Sequence, residues 1–342
     1  MEKRRSLLLQ ALRQVFLERR GILKMGQVWL PLSLILFSGT RLAPGPHAEL
    51  HASLFFLYAV VSKGLATILI NDLTDREIDR RAGKERWITS LPSPAGIMIP
   101  VLLLASGFPA LLLAGGGLFV LASFTATVAL GILYSLKPVR FKERGFWGPL
   151  AYTLSAAILH ALVPWALFHP AFWLLPLLFI VVTGEKFVQM LFHQVLDFDS
   201  DREEKVGSFA VRAGREKAGR TLRLILIFAL AADAVLLVCA LFLVAKKQLT
   251  FLWLLGPACL LAVCAAGLYA KVISKKAGAS TALTERLPWP YLGISYVIFY
   301  LLPPLLFLIL SLRRQEMWTL TALSSLWLLG ISFNIFRYDP EE

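Results

Sequence analysis

The chain has 342 residues, of which 57% are hydrophobic and only 17% charged, and 35 Lys and Arg against 22 Asp and Glu leave a formal net charge of +13. Soluble domains run at roughly 45–50% apolar and about 25% charged, so a soluble globule, a disordered chain and a disulfide-stapled secreted domain are all excluded. Cys239, Cys259 and Cys264 lie inside apolar runs, without metal-ligand or disulfide spacing.

Residues 1–23 place Lys3, Arg4, Arg5, Arg13, Arg19 and Arg20 between Leu7, Leu8, Leu12, Val15 and Phe16. Apolar positions at i, i+4 and i+8 predict an amphipathic helix on the cytoplasmic membrane interface rather than a cleavable signal, with a solvated basic tail as the alternative. Ten apolar runs follow, at 24–43, 50–70, 94–113, 118–136, 146–168, 171–195, 221–245, 250–272, 289–311 and 316–336. Runs of about 20 residues cross a ~30 Å hydrocarbon core. The expected fold is therefore all-α, a polytopic membrane bundle of nine to ten transmembrane helices. Spans three and four are joined by the short turn 114–117, and Gly and Pro interrupt span three. The main transmembrane unit is expected over 24–311, with an additional C-terminal helix and tail over 312–342.

Positive charge gathers in the N-terminal segment and in the loops after spans two, four, six and eight. The alternate loops hold only Arg41, Lys246, Lys247, Arg313 and Arg314. The positive-inside rule puts the basic loops in the cytoplasm, with the protein in the cell membrane. The excess of positive charge thus has a membrane explanation, and no nucleic-acid partner is expected.

Charge inside a span is costly, about 2.5–3.5 kcal/mol per residue at the centre. The informative residues are therefore the acids at span ends. Span two ends in Asn71-Asp72-Leu73-Thr74-Asp75-Arg76-Glu77-Ile78-Asp79, and Asn71, Asp75 and Asp79 share one face if the helix continues. Span six ends in Asp197-Phe198-Asp199-Ser200-Asp201, where Asp197 and Asp201 repeat the i, i+4 spacing. Two carboxylate faces at one membrane depth suit Mg²⁺, which takes one or two carboxylates plus substrate phosphates. Arg76, Arg80, Lys84 and Arg86 lie near the first cluster, Arg202 near the second, and Lys137, Arg140 and Lys142 between them. These cations would complete a clamp on a diphosphate.

With these residues in view, the sequence resembles the UbiA-type intramembrane prenyltransferases. Asn71, Asp72, Asp75 and Asp79 match the family's first signature in full, and Asp197 and Asp201 match its second. Tyr134-Ser135-Leu136-Lys137-Pro138-Val139-Arg140-Phe141-Lys142 resembles the family's loop after span four. His193-Gln194 and the stretch 208–214 resemble one branch of it. The resemblance implies a helical bundle around a central cavity. It also implies Mg²⁺-dependent transfer of a prenyl group from a polyprenyl diphosphate to a lipophilic or aromatic acceptor, as in quinone or isoprenoid lipid synthesis. On this reading Asn71, Asp75, Asp79, Asp197 and Asp201 are the catalytic metal ligands. Asp72, Lys63, Tyr134, Arg140, Lys142, His193 and Arg202 are substrate contacts. The sequence departs from the pattern at Lys84–Pro92, where an Arg-Pro-Leu turn is common, and at Lys205, where a third acid or a Gly often stands.

Lys63, Glu185 and Lys186 sit inside spans. They suggest either an acceptor pocket in which Lys63 meets an anionic head or a Lys63–Glu185 pair between helices. His160 and Asp233, each alone in a span, are expected to hydrogen-bond a neighbouring helix. No catalytic triad, metal-binding histidine pair or phosphate loop is present. A terpene cyclase on the same scaffold and a transporter with an intramembrane ion path are the competing functions.

Overall fold

The computed structural model describes residues 48–81, 83, 86–169 and 172–247. Segment 1–23, the predicted spans 24–43, 250–272, 289–311 and 316–336, the tail and Lys84 lie outside them. Among the described residues the fold is all-helical, without strands. Helix α1 covers Ala48–Thr74. Asp75 forms a turn, and α2, Arg76–Arg81, carries the chain on in the same direction. The Asp75 amide donates to the Asn71 carbonyl at 2.9 Å and the Asp79 amide to the Asp75 carbonyl at 2.8 Å. The helical register thus survives the turn, and the predicted acidic face survives with it.

Helix α3 is Ser93–Leu113, with Pro94 in its first turn and Pro100 and Pro109 inside it. Interior prolines break soluble helices, but spans tolerate them where neighbouring helices re-satisfy the freed carbonyls. The hairpin to α4, Leu118–Ser135, turns on Gly115 at φ +86°. There the Gly116 amide closes onto the Leu111 carbonyl at 2.8 Å, a helix-ending geometry that favours glycine. Helix α5, Trp147–Ala157, passes through one π turn, Ile158–Leu162, into α6, Val163–Phe168. Pro164 is the physical reason. It has no amide to offer the His160 carbonyl four residues back, and its ring crowds that carbonyl, so the ladder widens. The remaining helices are α7, Leu174–Leu196, then short α8, Phe198–Glu203, and α9, Phe209–Ala213, and long α10, Arg215–Lys247. Among the described residues five spans, α1, α3, α4, α5 with α6, and α7, are long and apolar enough to cross a membrane.

Helix α1 packs along α3, and α7 packs against both α5 and α10. Phe56, Phe124 and Phe168 are fully buried, and the Phe56 and Phe168 rings meet edge to face at 6.4 Å. Leu118, Phe172 and Phe228 point outward, as lipid-facing side chains do. Small residues set the helix spacing. A Cβ on Gly107 would stand 2.5 Å from the Phe124 ring. Gly107→Val is therefore expected to cost about 1–3 kcal/mol through overpacking, seen as a lower denaturation midpoint in detergent.

Candidate active site

The first acidic face is gripped by the loop that follows α4. Lys142 Nζ donates to Asn71 Oδ1 at 2.9 Å and reaches both carboxylate oxygens of Asp75. Arg140 Nη2 donates to Asp75 Oδ1 at 2.8 Å and pairs through Nε with Glu143 at 2.6 Å. Ser135, the last residue of α4, donates to Asn71 Oδ1 at 3.2 Å. Asp79 is held by Arg86 Nε at 2.8 Å. Arg140 is buried and sits at φ +41°, a left-handed conformation costly for a residue with a Cβ. The ion pairs around it hold that strained backbone in place. Burial pulls the Lys142 ammonium below its ordinary pKa, and the charge and hydrogen bond of Asp75 oppose that pull.

The second face lies at the end of α7. Asp197 is exposed and Asp201 half-buried. Burial pushes the Asp201 carboxyl above the usual carboxylate range; a Ser208 hydrogen bond lowers it, Asp197 raises it, and Lys142 lowers it. Asp199, two residues out of phase, turns away to pair with Arg215 at 3.1 Å. This is what an i, i+4 stripe requires of the residue between.

The two faces are drawn together. Lys142 is bonded to Asp75 and lies within electrostatic reach of Asp201. Tyr134 stands within reach of both Asp75 and Asp201. The loops that follow α4 and α8 are stitched to each other. The Gly145 amide donates to the Gly207 carbonyl at 2.9 Å. Arg212 Nη2 donates to the Glu143 carbonyl at 2.9 Å and its Nε to the Gly207 carbonyl at 3.1 Å.

Of the remaining sequence-predicted contacts, Asp72 is buried, with an interaction of its own, and Tyr134 donates to Met190 Sδ at 3.6 Å. His193 and Arg202 are exposed at the ends of α7 and α8. Lys63 is buried and donates to Ser155 Oγ on α5 at 2.8 Å. His160 departs from the expectation that it bonds a neighbouring helix: its Nδ1 is buried with no hydrogen-bond partner. His160 lies within the π turn.

Lys205, where the sequence departs from the family pattern, has a positive φ. It sits at φ +56° just past α8. Its amide bonds the Arg202 carbonyl at 3.2 Å and the Val206 amide bonds the Asp201 carbonyl at 2.8 Å. This is a helix-ending motif whose left-handed residue is usually Gly. Gly is favoured at such a backbone position, and the Lys205 side chain is exposed. Lys205→Gly is therefore expected to raise the melting temperature, by up to about 1 kcal/mol of stability.

Sequence reasoning missed Ser208 and Arg212 as site elements. Ser208 caps α9, accepting from the Val211 amide at 3.5 Å while bonding Asp201. A Ser one residue before a short apolar run is a helix-start signal, so the cap was legible but its second bond was not.

A model of the UbiA prenyltransferase family matches residues 32–284. The chain belongs to the UbiA prenyltransferase family. Among solved structures it is similar to a UbiA homologue from Archaeoglobus fulgidus bound to GPP and Mg²⁺. That likeness has a TM-score of 0.55 and 16% identity, over 95% of this chain and 99% of the other. It is also similar to a UbiA homologue from Aeropyrum pernix K1 in its apo state, with a TM-score of 0.50 and 15% identity, over 80% and 94% of the two chains. A third likeness is to digeranylgeranylglyceryl phosphate synthase, with a TM-score of 0.51 and 14% identity, over 96% and 97%. At these identities the structures establish the shared fold. No curated protein matches the sequence. UbiA membership and the apolar helices make this a multi-pass membrane protein.

The UbiA homologue from Archaeoglobus fulgidus carries Mg²⁺, so the residues here must be tested against such an ion. Among the described residues no three acidic or histidine side chains converge on one point. An all-protein cage is therefore not what these faces offer. They offer hard oxygens in ones and twos, which is the pattern of an ion shared with phosphates and water. A single ammonium already bridges Asn71 and Asp75, and Asp197 and Asp201 repel each other. Both arrangements suit a divalent cation.

Proposed function

We propose that the chain transfers a prenyl group from a polyprenyl diphosphate to a lipophilic or aromatic acceptor within the membrane, in a divalent-metal-dependent reaction on the cytoplasmic side. The observation that carries this reading is the position of Lys142, bonded to one acidic face and electrostatically coupled to the other. Asn71, Asp75 and Asp79 would hold one Mg²⁺, and Asp197 and Asp201 a second. When bound, the ions would neutralise charge building on the departing diphosphate.

The chain's own residues do the rest. Arg140 and Lys142 exchange the Asp75 carboxylate for phosphate oxygens when the donor arrives, and Arg202 can swing in from the exposed rim. Asp75 pairs with both cations and Glu143 with Arg140, so the diphosphate competes with these carboxylates for the two side chains. Ser208 favours the charged form of Asp201. Tyr134 and Asp72 line the donor side, and His193 belongs to its outer edge. The prenyl tail lies among apolar spans. Aromatic faces there would stabilise the allylic cation, and exclusion of water by the apolar spans would leave it to the acceptor.

Membranes containing the full chain, fed labelled polyprenyl diphosphate, test this reading by mass spectrometry. A prenylated lipid product is expected with Mg²⁺, to be lost in EDTA and in Asp197→Ala with Asp201→Ala. A cyclised hydrocarbon without acceptor atoms would favour the cyclase, and product forming equally well in EDTA would defeat the metal role.

A further inference from the structure

Asp197 belongs to two helices at once. It closes α7 and opens α8, at φ −84° and ψ 7°. Its amide bonds the His193 carbonyl at 2.9 Å, and the Asp201 amide bonds the Asp197 carbonyl at 2.8 Å. Asp197 is therefore carried by the long helix α7 and Asp201 by α8, which has six residues. Any rotation at the junction changes the separation of the two carboxylates.

A helix of six residues is well below the ~12–15 at which isolated helices become even marginally stable in water. The orientation of α8 must therefore come from contacts with the rest of the fold. Its buried residue is Phe198, which joins a core of Leu191 and Val195 from α7 with Ala218 and Leu222 from α10. Asp199, Ser200, Arg202 and Glu203 are exposed. A single buried ring leaves α8 free to turn about it.

Arg215 supplies a second point of attachment. It is the first residue of α10 and precedes Ala218 and Leu222 by three and seven residues, on the face that packs against α7. Its guanidinium lies over the Phe198 ring, 5.7 Å from the centroid, and its Nη1 donates to Asp199 Oδ2 at 3.1 Å. Arg215 thus holds two consecutive residues of α8, one buried and one exposed, and it has a further interaction of its own. Asp199 stands between Asp197 and Asp201 in sequence, so holding it on the back of α8 keeps the other two acids turned the opposite way. The Arg215 and Asp199 side chains are 30% and 70% exposed. An ion pair this open adds little to global stability, so the contact bears on the orientation of α8 more than on holding the fold together.

We propose that Arg215 is a positioning residue for the second acidic face: by clasping Phe198 and Asp199 it fixes α8 so that Asp197 and Asp201 can share one divalent cation. This rests on the metal-dependent reading above and adds to it a residue that acts through α8 and not on the ion or the diphosphate.

The test uses the full chain in phosphatidylcholine nanodiscs and the variant Arg215→Met, which keeps an apolar stem. Hydrogen exchange without metal reads the clasp itself. Peptides covering 198–206 should exchange about three- to tenfold faster, as loss of a cation–π contact and an open ion pair implies, while 118–135 is unchanged. Asp199→Asn leaves Arg215 in place and should give a smaller increase in the same segment. The double variant should exceed Arg215→Met by less than about twofold, since both changes break one contact. Mn²⁺ titration followed by EPR, with geranyl S-thiolodiphosphate present, reads the consequence. Two ions are expected on the wild-type chain. In Arg215→Met one should bind as before and the other about 10- to 100-fold more weakly, as when the support of a metal ligand is lost. The direction separates the readings: a cation acting by charge alone repels Mn²⁺, so its removal would tighten binding. Unchanged exchange over 198–206, full additivity of the two substitutions, or a second ion held equally or more tightly in Arg215→Met overturns the proposal. Fewer than two ions on the wild-type chain overturns the two-metal reading instead, and the exchange result then decides alone whether Arg215 holds α8.

Discussion

Asp75→Asn is expected to lower Mg²⁺-dependent diphosphate release by about 10³-fold, the upper range for removing one preorganised electrostatic group. The substitution keeps the shape of the side chain and removes its charge. Arg140 and Lys142 both close on that charge, and their side chains are 8% and 14% exposed. Two cations without their carboxylate also make the fold pay, by about 3–5 kcal/mol for a broken buried pair. Loss of activity could then be mistaken for loss of fold. Asp75→Asn combined with Lys142→Met separates the two effects. Removing one of the stranded cations should recover much of the melting temperature and none of the turnover. Recovery of turnover in the double variant would mean that Asp75 serves only as a counter-ion for the loop.

Gly207→Val is the second large effect, and it acts at a distance from the acids. A Cβ at Gly207 would overlap the Glu143 carbonyl oxygen and stand 3.0 Å from Arg212 Nη2. Both atoms belong to the stitch that joins the two loops. Forcing them apart would carry Lys142 away from Asp201 and Ser208 out of line. A shift of about 1 Å in such a site can cost 10²-fold, so kcat/KM for the donor should fall by about that factor. Most of the loss is expected in the donor KM, because the acids themselves are untouched. Arg212→Ala should reproduce the direction with a smaller effect, since it removes two hydrogen bonds and inserts no atom. An unchanged donor KM in both variants would mean that the stitch has no influence on the site.

The five spans among the described residues were readable because a membrane demands about 20 apolar residues in a row, and few other structures do. Span three was readable in spite of Pro100 and Pro109, since hydropathy survives prolines that would argue against a soluble helix. The helix that carries span seven was readable in its apolar part alone. It begins at Arg215, ahead of the predicted 221–245, because helical geometry continues into polar sequence that hydropathy does not mark. The acidic stripes were legible from the spacing of Asn71, Asp75 and Asp79, and the turn at Asp75 did not disturb it. The partners of those acids were not legible. That Lys142 bonds Asp75 at a separation of 67 residues depends on how α4 and α1 pack, and that Lys63 meets Ser155 depends on α1 and α5. No local pattern encodes either. Lys205 was legible only as a departure from the family pattern, whereas the position's demand is on φ.

Manganese EPR with geranyl S-thiolodiphosphate tests most directly whether two remote acidic faces share one diphosphate. Mn²⁺ replaces Mg²⁺ in the measurement, and the thiolodiphosphate resists cleavage. The account predicts a spin-coupled Mn²⁺ pair that forms only with the diphosphate present, and loss of one ion of the pair in Asp75→Asn and the other in Asp201→Asn. Tight binding of the thiolodiphosphate in EDTA, or a Mn²⁺ signal indifferent to both substitutions, would contradict it.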